Sequence, residues 1–311
     1  MKEFLTCLVK DCDTIMMAYG QGSVKQNGIY DEVLGILMKN GKKIVEFPDI
    51  MPNPTYKKVL EGAELAKKNH VQMILGIGGG SVMDCAKAVS LAAGFDGDAW
   101  ENFWARRGII DFEMIPVGVI PTTAGTGSEC NGAAVITNEE EKVKTGYDYP
   151  KCNPRFALMD PSYTFSVPET QMVSGAFDSL SHMMETYFSE PDEQNVSDEI
   201  TEALMRNVIR NLRQAVQDPK DYSARSNLFW DSTLSENRLI KLGKKREELA
   251  EAGIDALVEF IREVGLPTSL RELGIKNDKK LKDIAESCHY SPGGYRKLEK
   301  DEVLEIFREC Y

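Results

Sequence analysis

The sequence predicts an α/β fold in its first half, a parallel sheet wrapped by helices, and an all-helical second half. Two observations carry this. Short apolar or β-branched runs alternate with helical periodicity as far as Asp160-Pro161, the pattern of strands joined by crossover helices. Beyond Pro168 only helical spacing remains, as in Ile200, Ala203, Leu204, Val208, Ile209 and Leu212, and again in Ile254, Leu257, Val258 and Ile261. Taken in order, residues 15–19 read as a strand, 24–39 as a helix, 43–47 as a strand, 56–69 as a helix, 71–77 as a strand and 81–93 as a helix. Apolar runs at 115–120, 133–137 and 156–159 continue the β-rich part. The densest charge run, 241–251, reads as a solvated helix face or an irregular connection. The chain divides into residues 1–160 and 161–311.

Composition narrows the class. At 311 residues and 42% apolar content the chain can bury one large core or two ordinary ones. The 49 acidic against 37 basic residues give a formal charge of −12, and no Lys/Arg run offsets it. A small-molecule partner is therefore expected, with no nucleic acid and no membrane. Seven cysteines without a CxxC pair fit reduced thiols, no disulfides and a cytoplasmic location. The first ten residues are too charged for a signal peptide, and no apolar stretch approaches the roughly 20 residues that span a bilayer.

Four motifs carry chemistry. Gly76-Ile77-Gly78-Gly79-Gly80-Ser81 stands between a strand and a helix, where glycines let backbone amides approach a pyrophosphate at a helix N-terminus. This favours nucleotide binding in the first half, although serine takes the last place of GxGxxG and a structural turn would use the same glycines. Ser81 with Asp84 also has capping-box spacing. Tyr19-Gly20-Gln21-Gly22-Ser23-Val24-Lys25 repeats the arrangement after the first strand. A hydroxyl, open amides and a lysine suit the 2′-phosphate of NADP, and equally a flexible turn. Pro121-Thr122-Thr123-Ala124-Gly125-Thr126-Gly127-Ser128-Glu129 puts four hydroxyls and two glycines after a strand, where they line a ligand or satisfy their own backbone. Asp178 and His182, four apart in a helical stretch, share a face and can reach one divalent ion or simply hydrogen-bond. The other two histidines, His70 and His289, have no metal-ligand spacing.

Taken together, Gly78 through Lys87, Thr122-Thr123 with Gly125 through Glu129, Asp160-Pro161, and the stretch 175–182 resemble the iron-containing (group III) alcohol dehydrogenases. Tyr19 through Lys25, with Asn53-Pro54-Thr55-Tyr56, resembles the NADP(H)-dependent butanol dehydrogenase-like branch. The resemblance runs over 14–238 and resumes near Gly253-Ile254 and Gly265-Leu266-Pro267. It implies a metal-dependent alcohol dehydrogenase or aldehyde reductase that moves hydride between NADP(H), or NAD(H), and a small alcohol or aldehyde such as butanol or butyraldehyde. Gly78, Gly79, Gly80, Ser81 and Asp84 would form the pyrophosphate turn, and Gly22 and Ser23 would meet the 2′-phosphate. Thr122, Thr123 and Ser128 would flank the nicotinamide half, and Lys144 would bond the ribose. The resemblance also implies a Rossmann-like nucleotide-binding domain over residues 1–160, with Asp178 and His182 as two of four ligands to Fe²⁺ or Zn²⁺ in an all-helical metal-binding domain, and a homodimer as a possible association.

Against the family pattern this chain looks shortened. The helical stretch that should follow Ser235-Glu236-Asn237-Arg238-Leu239 and bring two more ligand histidines is missing, so the helical domain reads as incomplete around 238–250. The family's leading β-hairpin is missing at the N-terminus. The alternative reading is a catalytically inactive relative that only binds nucleotide. A dehydroquinate synthase-like lyase shares the glycine loop and stands third.

Overall fold

The computed structural model describes residues 1–188, 196–235, 250–276, 278–288 and 298–311. Helix α1 (Lys2–Leu8) precedes β1 (Thr14–Gly20), then α2 (Ser23–Gln26), α3 (Ile29–Lys39), β2 (Lys43–Ile50), α4 (Tyr56–Lys68), β3 (Met73–Gly78) and α5 (Gly80–Gly94). After a π-helical turn at Trp100–Ala105 come β4 (Val117–Pro121), β5 (Ala133–Asn138), β6 (Val143–Asp148) and β7 (Phe156–Ala157). The rest is helical: α6 (Glu169–Tyr187), α7 (Val196–Gln217), α8 (Tyr222–Ser235), α9 (Ala250–Glu263), α10 (Leu281–Ser287) and α11 (Lys300–Glu309).

Five strands form a parallel sheet in the order β2-β1-β3-β4-β7. Alternation along β1 divides the core. Met16 and Ala18 face α4 and α5 with Phe47, Ile74 and Val119, whereas Ile15, Met17 and Tyr19 face α1 and α3 with Leu5, Val33 and Leu37. Each of the Val, Leu, Ile, Phe and Met side chains among them stabilises the fold by about 1.5–3 kcal/mol on burial. On the sheet's β2 rim, Pro48 has no N–H to offer, and the register with β1 shifts between Ala18 and Gly20, beside left-handed Asp49 (φ 63°). The opposite rim, β7, is two residues long.

Four expectations change. The helix expected over 24–39 is broken into α2 and α3, because Gly28 takes a left-handed φ of 74° between them. The run at 133–137 does not join the main sheet: β5 pairs only with β6, as an antiparallel hairpin on α5 bridged to the start of α4 through Thr55 and Thr137. The capping box does not form, since Gly79 is the N-cap of α5 and no side chain caps it. Ser81 and Asp84 bond to other loops, as described below. The N-terminal residues fold as α1, burying Leu5 and Val9 against α3, which the sequence reading left without an element. Of the charge run at 241–251, residues 241–249 lie outside the described residues, as does His289.

The helical half has its own core. Val173, Leu180 and Met183 of α6 pack on Val208 and Leu212 of α7, Leu228 of α8 and Phe260 of α9. Buried Arg225 of α8 donates to the Thr164 hydroxyl (2.9 Å) and carbonyl, tying the helices to the Pro161–Thr164 turn. Asp231, 2% exposed, accepts two hydrogen bonds from Asn207 Nδ2 (3.0 and 2.8 Å). Burial pushes its carboxyl up to about 6, against the pull of Asn207 and Arg210. Between the ordinary carboxylate value and about 6 the folded chain keeps a proton that the unfolded chain releases, so stability falls as pH rises through that window. Asp231→Asn is therefore expected to raise the unfolding free energy by about 1–2 kcal/mol at pH 8 and by almost nothing at pH 4, read by urea titration. A gain that persists unchanged at pH 4 would place its cause outside this carboxyl.

Candidate functional site

The site begins at the carboxyl ends of β1 and β3, the neighbouring strands from which the sheet is wound in opposite directions. Crevices for ligands open at such a switch point. Register puts three loops there: Tyr19 pairs with Ile77, Gly78 with Pro121 and Gly20 with Ile50. Because no side chain caps α5, its first amides and its dipole face the loops, an arrangement suited to a diphosphate.

The loops interlock through missing side chains. A Cβ on Gly79 would lie 2.8 Å from Thr123 Oγ1, and one on Gly80 would lie 2.7 Å from Thr126 Cγ2. Thr122 donates its N–H to Gly78 O at 3.0 Å. Ser81 Oγ accepts from the Asn53 N–H at 3.3 Å, and Lys144 Nζ donates to Asn53 Oδ1 at 2.6 Å. Left-handed Asn53 (φ 54°) thus brings Lys144 of β6 to the glycine turn.

On the β1 side, Gly22 is the N-cap of α2 at a φ of 136°, and a Cβ there would meet nothing within 4 Å. Ser23 is exposed. The Lys25 ammonium lies over the rings of Tyr19 (4.9 Å) and Tyr30 (4.6 Å), whose hydroxyls donate to Glu46 at 2.7 and 2.8 Å. Burial, reinforced by Glu46, raises both phenols, Tyr30 to about 12. The tyrosines stay neutral and hold the lysine at the mouth of the loop.

Asp84 and Ser128 bond to each other. The Ser128 hydroxyl donates to Asp84 Oδ1 at 2.6 Å, the Val135 N–H donates to Oδ2 at 2.9 Å, and Lys87 Nζ stands 3.7 Å away. Burial raises the Asp84 carboxyl, with Lys87 opposing, and lowers the Lys87 ammonium, with Asp84 opposing.

The helical half docks on the loop after β4. Gly125 (φ 144°) meets Gly175 of α6 so closely that a Cβ on Gly125 would lie 2.7 Å from Gly175 Cα, and one on Gly175 would overlap Ala124 O. The Ser179 hydroxyl donates to Gly125 O at 3.3 Å, and Ser232 of α8 accepts from the Gly125 N–H at 2.7 Å in reverse polarity, Oγ being the acceptor. Thr233 Oγ1 donates to Glu129 Oε1 at 2.6 Å. These contacts hold α6 against Ala124 and Gly125, with Asp178 about one turn and His182 about two turns beyond Gly175.

Asp178 Oδ1 and His182 Nε2 lie 3.7 Å apart, with side chains 46% and 29% exposed. Among the described residues no group of three or more His, Cys, Asp or Glu stands together for a metal. His70 is an exposed left-handed turn residue (φ 52°) between α4 and β3. The donor types at Asp178 and His182 suit Fe²⁺ or Zn²⁺, but two ligands do not make the four-ligand set. The glycine turns, the uncapped helix and Lys144 do fit a dinucleotide. Sequence reasoning missed Asn53 as the partner of Ser81 and Lys144, Lys87 as a loop anchor, and the Gly125–Gly175 contact.

Comparison with known proteins agrees with this architecture. The profile described as iron-containing alcohol dehydrogenase matches residues 3–161, and that of the Fe-containing alcohol dehydrogenase family, C-terminal, matches 172–239 and 234–311. The chain is 32% identical over 360 residues to NADH-dependent butanol dehydrogenase A of Clostridium acetobutylicum, covering 96% of this chain and 92% of that protein. It is 33% identical over 231 residues to the NADPH-dependent aldehyde reductase YqhD of Escherichia coli, covering 74% of this chain and 59% of that protein. The crystal structure of NADH-dependent butanol dehydrogenase A from Thermotoga maritima superposes with a TM-score of 0.89 at 30% identity, covering 97% of this chain and 92% of that one. With both halves matched, the glycine turn in place and the helices docked behind it, the chain belongs to the iron-containing alcohol dehydrogenase family.

Proposed function

We propose that this chain is an alcohol dehydrogenase or aldehyde reductase that prefers NADP(H) and acts on a small primary alcohol or aldehyde, with butanol and butyraldehyde the pair to test first. The observation that carries the proposal is the meeting of three strand-end loops at the uncapped start of α5. When bound, the nicotinamide supplies a hydride donor or acceptor at its C4. The chain's own residues bind and orient: amides at Gly79 to Ser81 meet the diphosphate, Thr122 and Thr123 flank the nicotinamide half, and Lys144 reaches the ribose. The preference for the 2′-phosphate rests on Gly22, Ser23 and Lys25, in a stretch (20–25) that holds a cation and no carboxylate. The relatives' names carry both NADH and NADPH, so the preference is this chain's own to test.

A second reading is a relative that binds nucleotide without turning over. It is favoured by the two-ligand pair at Asp178 and His182 and by the family's C-terminal profile matching in two pieces that meet at 234–239. Alignment over 360 residues, with 311 in this chain, includes stretches of that relative with no counterpart here. Because the described residues do not complete a metal set, no catalytic step is assigned to a metal.

The deciding experiment is anaerobic NADPH oxidation with butyraldehyde, with and without added Fe²⁺ or Zn²⁺. Turnover supports the first reading; NADPH binding without turnover supports the second; no binding of either nucleotide overturns both. A two-ligand pair holds metal weakly, so dialysed protein is expected to retain well under one equivalent of iron or zinc by elemental analysis. One full equivalent that survives dialysis and is lost in His182→Ala would show that further ligands complete the site.

A further inference from the structure

We propose that Asp84 and Lys87 are positioning residues that set the Thr122-to-Ser128 loop against the glycine turn, so that nucleotide affinity depends on two side chains that need not touch the nucleotide. The proposal rests on the nucleotide reading above. Both residues lie on α5, the helix that begins at Gly80, and both reach outward to one segment, residues 128–135. Lys87, 0% exposed, donates to Ser128 O at 2.8 Å, Asn131 O at 3.2 Å and Asn131 Oδ1 at 3.1 Å. Asp84 accepts from the Ser128 hydroxyl at 2.6 Å and from the Val135 N–H at 2.9 Å. Between them the two side chains fix residues 128, 131 and 135.

A buried ammonium is retained only where several oxygens replace its water. Here three acceptors belong to the loop that ends the Thr122-to-Ser128 stretch, and the fourth contact is Asp84 at 3.7 Å. On its other side the same loop touches Gly79 through Thr123 and Gly80 through Thr126 at spacings with no room for a Cβ. Helix α5 therefore grips the loop twice: at its own first residues, by close packing, and one to two turns later, by Asp84 and Lys87. Releasing the second grip lets the loop drift from the first, and a displacement of about 1 Å in a binding group is enough to lose much of its effect.

The test uses Lys87→Met and Asp84→Asn in the full chain, with Ser128→Ala as the milder variant should either fail to fold. NADPH affinity by fluorescence titration is expected to weaken at least tenfold in the first two and a fewfold in Ser128→Ala. Amide exchange is expected to quicken across 122–135 and to stay unchanged in β1 and β3. Leu212→Ala, which opens the helical core on α7, serves as the control that loses stability while keeping NADPH affinity. Unchanged affinity in the variants, unchanged exchange across 122–135, or equal weakening in Leu212→Ala would each overturn the positioning role. If the parent chain binds no NADPH the nucleotide reading falls, and exchange across 122–135 still decides whether Asp84 and Lys87 hold the loop.

Discussion

Gly175→Ala is expected to lower the unfolding free energy by about 3 kcal/mol, the upper end of the usual cost of overpacking. The added methyl would overlap Ala124 O, and its next neighbour is the Ala124 carbonyl carbon. Both are backbone, so no rotamer change relieves the clash. Either α6 tilts or the loop after β4 moves, and the bonds from Ser179 and Ser232 to Gly125 move with it. Urea unfolding of the variant beside Gly35→Ala gives the contrast. Gly35 lies within α3 with open space around its Cβ position, and its replacement is expected to raise stability by about 0.5–1 kcal/mol. A loss under about 0.5 kcal/mol in Gly175→Ala would mean that the two halves are not held by this contact.

Gly80→Val is expected to weaken NADPH binding at least a hundredfold, about 2.7 kcal/mol. The cause is local. A Cβ at this position would stand 2.7 Å from the Thr126 methyl carbon and 2.8 Å from its hydroxyl, and a branched side chain leaves no χ1 that avoids both. The start of α5 and the loop after β4 would part, and with them the amides proposed to meet the diphosphate and the threonines proposed to flank the nicotinamide half. Fluorescence titration reads the loss, and far-ultraviolet circular dichroism checks that the sheet survives. Affinity equal to that of the parent chain would remove the glycine turn from the nucleotide site.

Periodic and contiguous signals were readable in the sequence; distant ones were not. Continuous apolar runs in 15–19 and 71–77 located two central strands, because a parallel sheet covered by helices on both faces buries side chains on both. The four-residue spacing of Asp178 and His182 did bring their side chains to 3.7 Å, since one helical turn fixes that geometry. The break between α2 and α3 was missed because Asn27-Gly28 inside an apolar period reads as a tolerated interruption until Gly28 is seen at φ 74°. The β5–β6 hairpin was half read: Glu139-Glu140-Glu141-Lys142 is no two-residue turn, and the strand β6 carries little apolar alternation. The partners of Asp84 lie 44 and 51 residues away, and Ser232 lies 107 residues from Gly125. No spacing rule encodes such pairs, so Asp84 looked like a capping residue and Lys87 like an ordinary helix lysine.

The rims of the main sheet bear on how copies of this chain meet. Strand addition requires a row of open N–H and C=O groups. On β2 that row is interrupted by Pro48 and by the register shift at left-handed Asp49, and β7 offers only two residues. Neither margin is a template for a further strand, which disfavours edge-to-edge aggregation of the folded chain at high concentration. Association through the main sheet therefore has to proceed by its side-chain surfaces.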